Sequence, residues 1–434
     1  MKNIELLYNH FLKSSGICID SRKADDNLIF FALKGGKFDG NIFAPMALEN
    51  GCRLAVVDNP DVIMDDRYFL VDDCLLSLQE LASIHRDQLN IPFIGITGSN
   101  GKTTTKELMD VVLSRKYNTL ATSGNLNNHI GVPLTILKIK NEEMAIIEMG
   151  ANHPGEIDFL CNIAKPDYGI ITNIGKAHLE GFGSFEGIKK TKSELYRYLD
   201  KKEGTIFING SNKILTELSE LENLKKIYYL DGFEPLLCDG FIIDSKEKLK
   251  VGVKFLKEDK TLEAVVNLTG SYNLENILSA ACIGYYFNVT PEEIIRGLES
   301  FKTTQNRSQF IETGKNLVIS DAYNANPSSM KEAIDNFVKI HNGRKVIILG
   351  DMLELGKYSK EEHEKVLKQL ENYDFHSVYL VGKEFNQYNG QFKFNFYNSL
   401  PELYEHFIKS PVTDCLILLK GSRGIALETL LKVL

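Results

Sequence analysis

The clearest pattern along the chain is a short apolar run, followed by a glycine-rich turn and then an amphipathic segment. Residues 92–97 are mostly apolar and end at Gly98, which is typical of a buried strand. From Lys102 onward, apolar residues recur at helical spacing among polar residues. The pattern therefore predicts a buried strand, a tight turn over residues 98–101 and a helix that begins near Lys102.

The rest of the chain alternates between short apolar runs and longer periodic segments. Near the N-terminus we predict three strands, at residues 28–33, 54–57 and 68–71. In the middle we predict strands at residues 144–150, 168–173 and 249–255, and a helix at residues 185–199. Two more helices open near Asn273 and after Thr290. The C-terminal third predicts strands at residues 317–321, 345–349, 378–381 and 415–419. Its helices are expected to follow three N-cap candidates, Ser328, Ser359 and Ser399.

This alternation predicts an α/β protein. A length of 434 residues is typical of about two to four domains. We divide the chain where its pattern changes, into residues 1–85, 86–305 and 306–434. The central part is expected to contain a mainly parallel sheet, and the last part a doubly wound domain of regular strand–helix units.

Composition and charge exclude several classes of protein. The hydrophobic content of 43% and the charged content of 25% are ordinary for a globular protein. The formal net charge of −8 argues against a general nucleic-acid binder. The seven cysteines form no C-x-x-C pair, so neither a disulfide framework nor a zinc site is expected. We see no signal peptide and no apolar run of membrane-spanning length, and we expect a cytoplasmic protein without membrane insertion.

The segment from Gly98 to Thr104 has the features of a phosphate-binding loop. Glycines let backbone N–H groups turn toward an anion, and the N-terminus of the following helix adds its positive end. Lys102 can reach the outer phosphates, and a threonine hydroxyl is a natural Mg²⁺ ligand. The loop is shorter than the standard pattern, which would place glycine where the chain has Ile96. The alternative is a glycine turn that only connects a strand to a helix.

Two polar residues follow further predicted strands, and a third candidate lies near the N-terminus. Glu148 and His178 lie at or just past the carboxyl ends of strands, where open parallel sheets bind ligands. They can form a structural pair, or they can hold Mg²⁺ beside the phosphates. Asp20–Arg22 follows an apolar segment, and on the residues alone ligand binding and simple surface placement are equally good interpretations.

Taken together, these segments resemble the Mur ligase superfamily, the ATP-dependent amide-forming enzymes of peptidoglycan synthesis. The short loop G-S-N-G-K-T-T resembles that family's phosphate loop, and the resemblance covers nearly the whole chain. Three C-terminal segments, at residues 321–330, 350–356 and 420–423, resemble the members that add D-alanyl-D-alanine to a UDP-N-acetylmuramoyl-tripeptide. An Asp-Asn-Pro-Arg motif, expected in the members that add the third residue, is not present in the sequence. Residues 20–22, with Gly35 and 39–40, resemble the family's uridine-nucleotide domain.

The resemblance implies a role for each candidate residue. The nucleotide-binding set is Gly98, Ser99, Asn100, Gly101, Lys102, Thr103, Thr104, Asn273, Asn276, Arg307 and Asp321. The Mg²⁺-binding set is Thr103, Glu148, His178 and Lys192, with Lys192 converted to a carbamate. The residues expected to act on the reacting groups are Lys102, Lys192, Asn128 and His178. The residues expected to bind the UDP-linked substrate or the dipeptide are Ser21, Arg22, Tyr323, Asn324 and Asn326. Tyr272 stands where many relatives carry histidine, so a role for that histidine does not transfer.

The resemblance also implies a fold and a reaction. It implies a uridine-nucleotide-binding N-terminal domain, a P-loop ATPase-like central domain and a Rossmann-like C-terminal domain. A carboxylate resists attack by an amine, and transfer of the γ-phosphoryl group of ATP to it creates an acyl phosphate with a good leaving group. The alternatives are another ligase of the superfamily, either amino-acid-adding or folylpolyglutamate-like, and a nucleotide-binding scaffold without catalysis. We expect ATP and Mg²⁺ as cofactors, the two peptide substrates as partners, and a monomer.

Overall fold

The computed structural model describes residues 2–36, 38–231, 233–245, 248–302, 309–340 and 343–434. Within these ranges the strands form sheets of four, nine and six strands, which follow one another along the chain, and a two-stranded hairpin. Most neighbouring strands in the three large sheets are parallel, as the alternation of strands and helices predicts. The prediction of an α/β fold with mainly parallel sheets is confirmed.

The N-terminal part is a small parallel sheet with helices beside it. Its strands are β1 (Gly16–Cys18), β2 (Leu28–Phe31), β3 (Lys34–Gly35), β4 (Phe38–Asp39), β5 (Leu54–Val57) and β6 (Tyr68–Leu70). Its helices are α1 (Lys2–Leu12), α2 (Ala44–Glu49) and α3 (Cys74–Gln88). The sheet has the order β1-β2-β5-β6 with all pairs parallel, and β3 and β4 form the separate hairpin.

The central part contains the nine-stranded sheet. Its strands are β7 (Phe93–Thr97), β8 (Thr119–Ala121), β9 (Met144–Glu148), β10 (Tyr168–Ile171), β11 (Thr205–Asn209), β12 (Lys225–Tyr229), β13 (Leu236–Asp244), β14 (Leu249–Phe255) and β15 (Lys260–Val266). Its helices are α4 (Lys102–Leu113), α5 (Gly131–Ile136), α6 (Glu156–Ala164), α7 (Leu179–Phe182), α8 (Phe185–Lys192), α9 (Glu194–Asp200), α10 (Lys213–Leu218), α11 (Asn273–Tyr286) and α12 (Pro291–Ser300). The strand order is β15-β14-β13-β12-β11-β10-β7-β9-β8, and only the β13–β14 and β14–β15 pairs are antiparallel.

The order of the central strands determines where ligands can bind. Strand β7 lies between β9 and β10, and both neighbours run parallel to it. The carboxyl ends of these three buried strands therefore lie together at one edge of the sheet. The phosphate loop follows β7, Glu148 ends β9, and the segment with His178 follows β10. Topology thus brings together residues that are far apart in the sequence.

The C-terminal part contains the six-stranded sheet and its flanking helices. Its strands are β16 (Gln309–Glu312), β17 (Leu317–Asp321), β18 (Arg344–Gly350), β19 (Ser377–Val381), β20 (Asn395–Tyr397) and β21 (Cys415–Lys420). Its helices are α13 (Pro327–Lys339), α14 (Ser359–Leu370), α15 (Lys383–Asn386) and α16 (Leu400–Lys409). The order is β16-β17-β21-β18-β19-β20, with only the edge strand β16 antiparallel to its neighbour.

Three local predictions need correction. Ser328 is not an N-cap, because Asn326 caps α13 through a reciprocal capping box and Pro327 takes the first helical position. Ser359 is the first residue of α14 rather than its cap. The helix predicted over residues 185–199 is interrupted at Ser193, where the structure has α8 and α9. The Ser193 hydroxyl donates to the backbone carbonyl of Lys190 at 3.0 Å, a local hydrogen bond that competes with regular helix geometry.

Helix α3 connects the N-terminal and central parts. It continues past residue 85, and Arg86 donates from Nε to the Ala164 carbonyl at 3.0 Å and from Nη2 to Asp167 Oδ2 at 3.0 Å. The divisions at 85/86 and 305/306 stay predictions, and the second falls among residues outside the described ranges. No helix in the described ranges has both the length and the apolar character needed to cross a membrane.

Candidate active site

A large cleft lies at the carboxyl edge of the central sheet and is closed on one side by the C-terminal part. Its volume is about 1140 Å³. Leu75 and Gln79 of α3 also line it, so all three parts of the chain contribute. Most of the predicted site residues line this cleft: Ser99, Asn100, Gly101, Lys102, Thr103, Thr104, Asn128, Glu148, His178, Asn273, Asn276, Asp321, Tyr323, Asn324 and Asn326. The structure therefore brings together residues that were selected from distant segments.

The phosphate loop requires glycine at two positions. Gly98 has φ +146°, and a Cβ atom there would lie 2.0 Å from Thr172 Oγ1. Gly101 has φ +78° at the N-cap of α4, and a Cβ atom there would lie 2.6 Å from Asn276 Oδ1. Glycine at the N-cap supplies no side chain to cap the helix, which leaves N–H groups of the first turn for an anion. The local geometry is that of an anion-binding turn.

The loop is fixed by the end of strand β10. Thr172 Oγ1 donates to the Asn100 carbonyl at 2.6 Å, and Asn173 Oδ1 accepts from the Asn100 N–H at 3.0 Å. Ser99 Oγ donates to the Gly175 carbonyl at 2.9 Å. Lys102 Nζ donates to the Gly98 carbonyl at 2.8 Å, so the ammonium group lies directly over the loop. A cation in this position is ready to contact phosphate oxygens bound in the turn.

Glu148 is a buried carboxylate that has hydrogen-bond partners on one oxygen only. Glu148 is only 1% exposed to solvent. Oε1 accepts from Thr103 Oγ1 at 3.2 Å and from Asn127 Nδ2 at 2.8 Å. Among the described residues, the buried Oε2 has no hydrogen-bond partner. A buried carboxylate oxygen without a donor is costly, and a bound cation would compensate for that cost.

His178 and Lys192 are the other predicted metal ligands. His178 begins α7 with a left-handed backbone, φ 51°, and its Nδ1 contacts Oε2 of Glu354 from the C-terminal part. Lys192 is 2% exposed and lies 5.4 Å above the ring of Phe182. Burial, and then the positive charge of Lys102, hold the pKa of Lys192 well below its usual value. Burial of Lys192 therefore favours the neutral amine over the ammonium form.

Asn273 and Asn276 of the predicted nucleotide-binding set form a hydrogen-bonded chain beside the loop. Asn273 Nδ2 donates to the Thr269 carbonyl at 2.6 Å, and Asn276 Nδ2 donates to Asn273 Oδ1 at 2.8 Å. Asn276 Oδ1 also accepts from Thr105 Oγ1 of α4 at 3.0 Å. The two asparagines thereby fix the start of α11 against the helix that follows the phosphate loop.

Polar residues of the C-terminal part face the loop across the cleft. Lys420 Nζ donates to Asp321 Oδ2 at 2.6 Å and to the Asn324 carbonyl at 3.3 Å. Asn326 Nδ2 donates to Asn100 Oδ1 of the phosphate loop at 2.7 Å. This hydrogen bond joins the C-terminal part directly to the predicted nucleotide site.

Several predicted site residues lie elsewhere or have other contacts. Gly98 and Lys192 are buried beneath the cleft surface, while Ser21 and Arg22 lie in the N-terminal part, outside the cleft. Arg22 pairs with Asp20 at 2.8 Å, and its hydrogen bonds lower the pKa of that carboxyl to about 2. Arg307 falls outside the described residues.

Two residues of the site were missed by the sequence reasoning. Asn128, which we predicted near the reacting carboxylate, accepts at Oδ1 from the backbone N–H groups of Ile130 and Gly131 at 3.1 and 2.9 Å. The role predicted for Asn128 stays a prediction. The first missed residue is its neighbour Asn127, which donates from Nδ2 to Glu148 Oε1 at 2.8 Å. The other missed residue is Glu354, which contacts His178. Asn127 belongs to an asparagine-rich segment and Glu354 to a glycine-bounded motif, but neither pattern identifies its partner.

The chain's own ligands do not complete a metal site. In the described part of the chain, no three His, Cys, Asp or Glu side chains converge in a way that could hold a metal ion. Mg²⁺ commonly takes one or two carboxylates and completes its shell with phosphate oxygens and water. The unpartnered oxygen of Glu148 and the nearby Thr103 hydroxyl fit such a shared site.

Comparison with known proteins identifies the class. The family model described as the Mur ligase middle domain matches residues 96–284, and that described as the Mur ligase, glutamate ligase domain matches residues 306–423. The chain therefore belongs to the Mur ligase family, and the resemblance seen in the sequence is confirmed.

Individual relatives indicate which members of the Mur ligase family this chain resembles. UDP-N-acetylmuramoyl-tripeptide--D-alanyl-D-alanine ligase of Bacillus subtilis is 34% identical over 434 residues, covering 96% of this chain and 92% of that protein. A crystal structure of MurF from Acinetobacter baumannii has a TM-score of 0.87 at 31% identity and covers 99% of this chain and 98% of that one. MurF ligase from Thermotoga maritima in complex with ADP has a TM-score of 0.85 at 28% identity, with 98% and 97% of the two chains covered.

Proposed function

We propose that this protein is an ATP-dependent, ADP-forming ligase that joins D-alanyl-D-alanine to a UDP-N-acetylmuramoyl-tripeptide. The observation that carries the proposal is the Asn326–Asn100 hydrogen bond, which places the Y-N-A-N-P segment of the C-terminal part against the phosphate loop. Full-length similarity to the Bacillus subtilis ligase supports the same substrates. The product belongs to peptidoglycan precursor synthesis, which serves cell-wall biogenesis, cell shape and cell division.

The reaction has two steps. In the first, a carboxylate oxygen of the tripeptide attacks the γ-phosphorus of ATP, which releases ADP and leaves an acyl phosphate. In the second, the amino group of the dipeptide attacks the acyl carbon, loses a proton and expels inorganic phosphate. The balance is one ATP, one carboxylate and one amine converted to ADP, phosphate and an amide. Because no enzyme nucleophile is required, the protein contributes orientation and charge stabilisation.

The phosphate loop supplies most of that stabilisation. The N–H groups at the start of α4 and the ammonium group of Lys102 face the space where the triphosphate binds. Asn273 and Asn276, which line the cleft, would bind the adenine end of the nucleotide, and Asp321 would contact the nucleotide from the C-terminal part. We assign Arg307 to the same nucleotide site on the family resemblance.

Four residues in and beneath the cleft fit the binding of magnesium. Thr103 would hold one Mg²⁺ ion, and Glu148 and His178, with Lys192, would hold a second. The buried Oε2 of Glu148 is the atom whose environment fits a cation best. Bound Mg²⁺ would neutralise charge that develops on the transferring phosphoryl group. Lys192 would contribute as a carbamate. The amine form, which burial favours, adds to CO₂ and releases a proton to solvent, which gives an anionic group with two oxygens that suits a hard cation.

The remaining assignments concern the other substrates and the setting. Ser21 and Arg22 would bind the uridine nucleotide. The peptide groups would be bound by Tyr323, Asn324 and Asn326. Asn128 would approach the reacting carboxylate. Domains over residues 1–85, 86–305 and 306–434 would carry the uridine, ATP and ligase functions. The protein would act in the cytoplasm as a monomer, without nucleic acid or membrane insertion. Light scattering during gel filtration measures the oligomeric state.

The function is tested by the substrates required for ADP release. ADP should form only when a UDP-N-acetylmuramoyl-tripeptide and D-alanyl-D-alanine are both present. A single amino acid offered with the dipeptide precursor should serve poorly. Faster turnover with diaminopimelate or L-lysine and that precursor would contradict the assignment and favour an amino-acid-adding ligase. Turnover with a folate and glutamate would favour a folylpolyglutamate-like enzyme. The absence of turnover with every substrate pair would favour a nucleotide-binding scaffold without catalysis.

A further inference from the structure

The segment that carries His178 is bound by the C-terminal part along its length. Ser328 Oγ of α13 accepts from the Lys176 N–H at 2.9 Å, and Glu362 of α14 pairs with Lys176 Nζ at 2.7 Å. Further along, the Glu354 carbonyl accepts from the Glu180 N–H at 3.2 Å. The position of the segment from β10 to α7 is therefore determined jointly by two parts of the chain.

At the centre of this interface, two residues in strained backbone conformations contact each other. His178 has φ 51° and Glu354 has φ 63°, both in the left-handed region that residues other than glycine rarely adopt. The Glu354 Oε2 atom contacts His178 Nδ1. Such strain persists only where the surroundings enforce it, and it accumulates at functional sites.

The contact determines which imidazole nitrogen is available. Oε2 of Glu354 is in ion-pair contact with Nδ1 but without the geometry of a hydrogen bond. The attraction of that carboxylate favours the tautomer with its proton on Nδ1, which leaves the Nε2 lone pair free. Histidines that bind metals are commonly oriented in this way by a carboxylate on the other ring nitrogen. Here the histidine comes from the central part and the orienting carboxylate from the C-terminal part, so the geometry of His178 depends on the arrangement of the two.

We propose that Glu354 is a positioning residue for the metal site, orienting His178 through Nδ1 so that Nε2 faces the cation when the C-terminal part is docked. This inference rests on the proposed function, because it requires His178 to be a metal ligand. Linkage then requires the reverse effect, so that a cation held by His178 favours the docked arrangement by the same factor. Metal binding and docking of the C-terminal part are thereby coupled through one side-chain contact.

The test measures Mn²⁺ affinity of the full-length protein by electron paramagnetic resonance, with ADP present. Mn²⁺ is the probe, and the readout does not depend on activity. Glu354→Ala should weaken Mn²⁺ binding by about 10–100-fold, as loss of an orienting partner does. Glu354→Gln keeps an acceptor for Nδ1–H and should recover most of that loss. Glu361→Ala removes an exposed carboxylate of α14 that pairs with Lys365, and should bind Mn²⁺ as the wild type does.

The outcomes separate this inference from the function on which it rests. Glu148→Gln should abolish tight Mn²⁺ binding, and if it does not, the metal site itself is wrong. If Glu148→Gln abolishes binding while Glu354→Ala binds normally, the positioning role alone is overturned. Equal losses for Glu354→Gln and Glu354→Ala would also overturn it, because that result describes a carboxylate that binds the metal directly. Thermal unfolding of each variant verifies that a loss of affinity does not come from a loss of fold.

Discussion

Thr103 and Glu148 are joined by a hydrogen bond of 3.2 Å that connects the first turn of α4 to the end of β9. The bond uses Oε1 of the carboxylate, and Asn127 uses the same atom. The other oxygen, Oε2, is left buried and without a partner among the described residues. One carboxylate is thus fixed in place while keeping one oxygen for a cation beside the phosphate loop.

Replacement of Lys102 by alanine should lower kcat by about 10²–10³-fold, the usual cost of removing one donor from a preorganised site. The fold should be retained, because Lys102 lines the cleft and its ammonium group donates to the loop carbonyls of Gly98 and Ser99. Steady-state ADP release and circular dichroism measure the two quantities. Lys138→Ala, which changes an exposed lysine, is the matched control. Normal turnover by a folded Lys102→Ala protein would contradict the phosphate-loop assignment.

Replacement of Lys192 by alanine should remove most activity, and a small carboxylate such as acetate should partly restore it by occupying the site of the lost carbamate. Lys190→Ala is the control, because Lys190 is exposed on the same helix and should be nearly silent. The measurement is ADP release as a function of acetate concentration. Full activity of Lys192→Ala without any additive would exclude the carbamate role.

The sequence predicted the strands around the phosphate loop well, because buried parallel strands are short apolar runs and glycine has few alternatives at positive φ. Gly98, Glu148 and the start of α4 all lie where the pattern placed them. The pattern did not predict Glu354 as the partner of His178, since that contact arises from the packing of two separate sheets. The pattern also did not identify Asn127 as a partner of Glu148, because composition does not determine which of several neighbouring amides contacts a given carboxylate.

Replacement of Gly101 by alanine tests the geometry of the loop. Gly155 offers a close match, since both glycines begin helices at nearly the same backbone angles, φ 78° and 87°. A Cβ atom at Gly155 would meet nothing within 4 Å, whereas one at Gly101 would lie 2.6 Å from Asn276 Oδ1. Gly155→Ala should therefore lower the free energy of unfolding by only about 1–2 kcal/mol, because alanine is strained in a left-handed backbone conformation.

Gly101→Ala should lower the free energy of unfolding more than Gly155→Ala does. It should also weaken ADP binding, because Asn276 must move. We expect a loss of affinity of about tenfold or more, which corresponds to about 1.4 kcal/mol. Denaturant unfolding and calorimetric titration with ADP measure the two effects. Equal behaviour of the two variants in both assays would show that the close contact with Asn276 is unimportant.

His85 should make the stability of the protein depend on pH. It is 7% exposed, its Nε2 lies 2.9 Å from the Ile139 carbonyl and its Nδ1 lies 3.2 Å from Tyr8 Oη. Burial lowers the pKa of His85, so the folded state keeps it neutral while the unfolded chain takes up a proton below about pH 6.5. The contribution of His85 to the free energy of unfolding is therefore complete above about pH 6.5. It decreases by at most about 1.4 kcal/mol per pH unit as the pH falls below that value.

The measurement for His85 is denaturant unfolding between pH 7.5 and 5.5, with His85→Gln as the comparison. The variant is expected to be less stable at pH 7.5 and to lose less stability on acidification than the wild type. The difference between the two curves isolates His85 from the other titrating groups. Parallel curves would mean that His85 is not held neutral in the folded state.

The most direct test of the whole account follows oxygen atoms through the reaction. A UDP-N-acetylmuramoyl-tripeptide labelled with ¹⁸O in the reacting carboxylate is incubated with ATP, Mg²⁺ and D-alanyl-D-alanine, and the phosphate and nucleotide products are analysed by mass spectrometry. An acyl phosphate transfers one carboxylate oxygen to the phosphate that leaves, so we predict one ¹⁸O in the inorganic phosphate for each amide formed. Unlabelled phosphate released alongside the UDP-linked pentapeptide would contradict the proposed mechanism, and the absence of pentapeptide would contradict the proposed function.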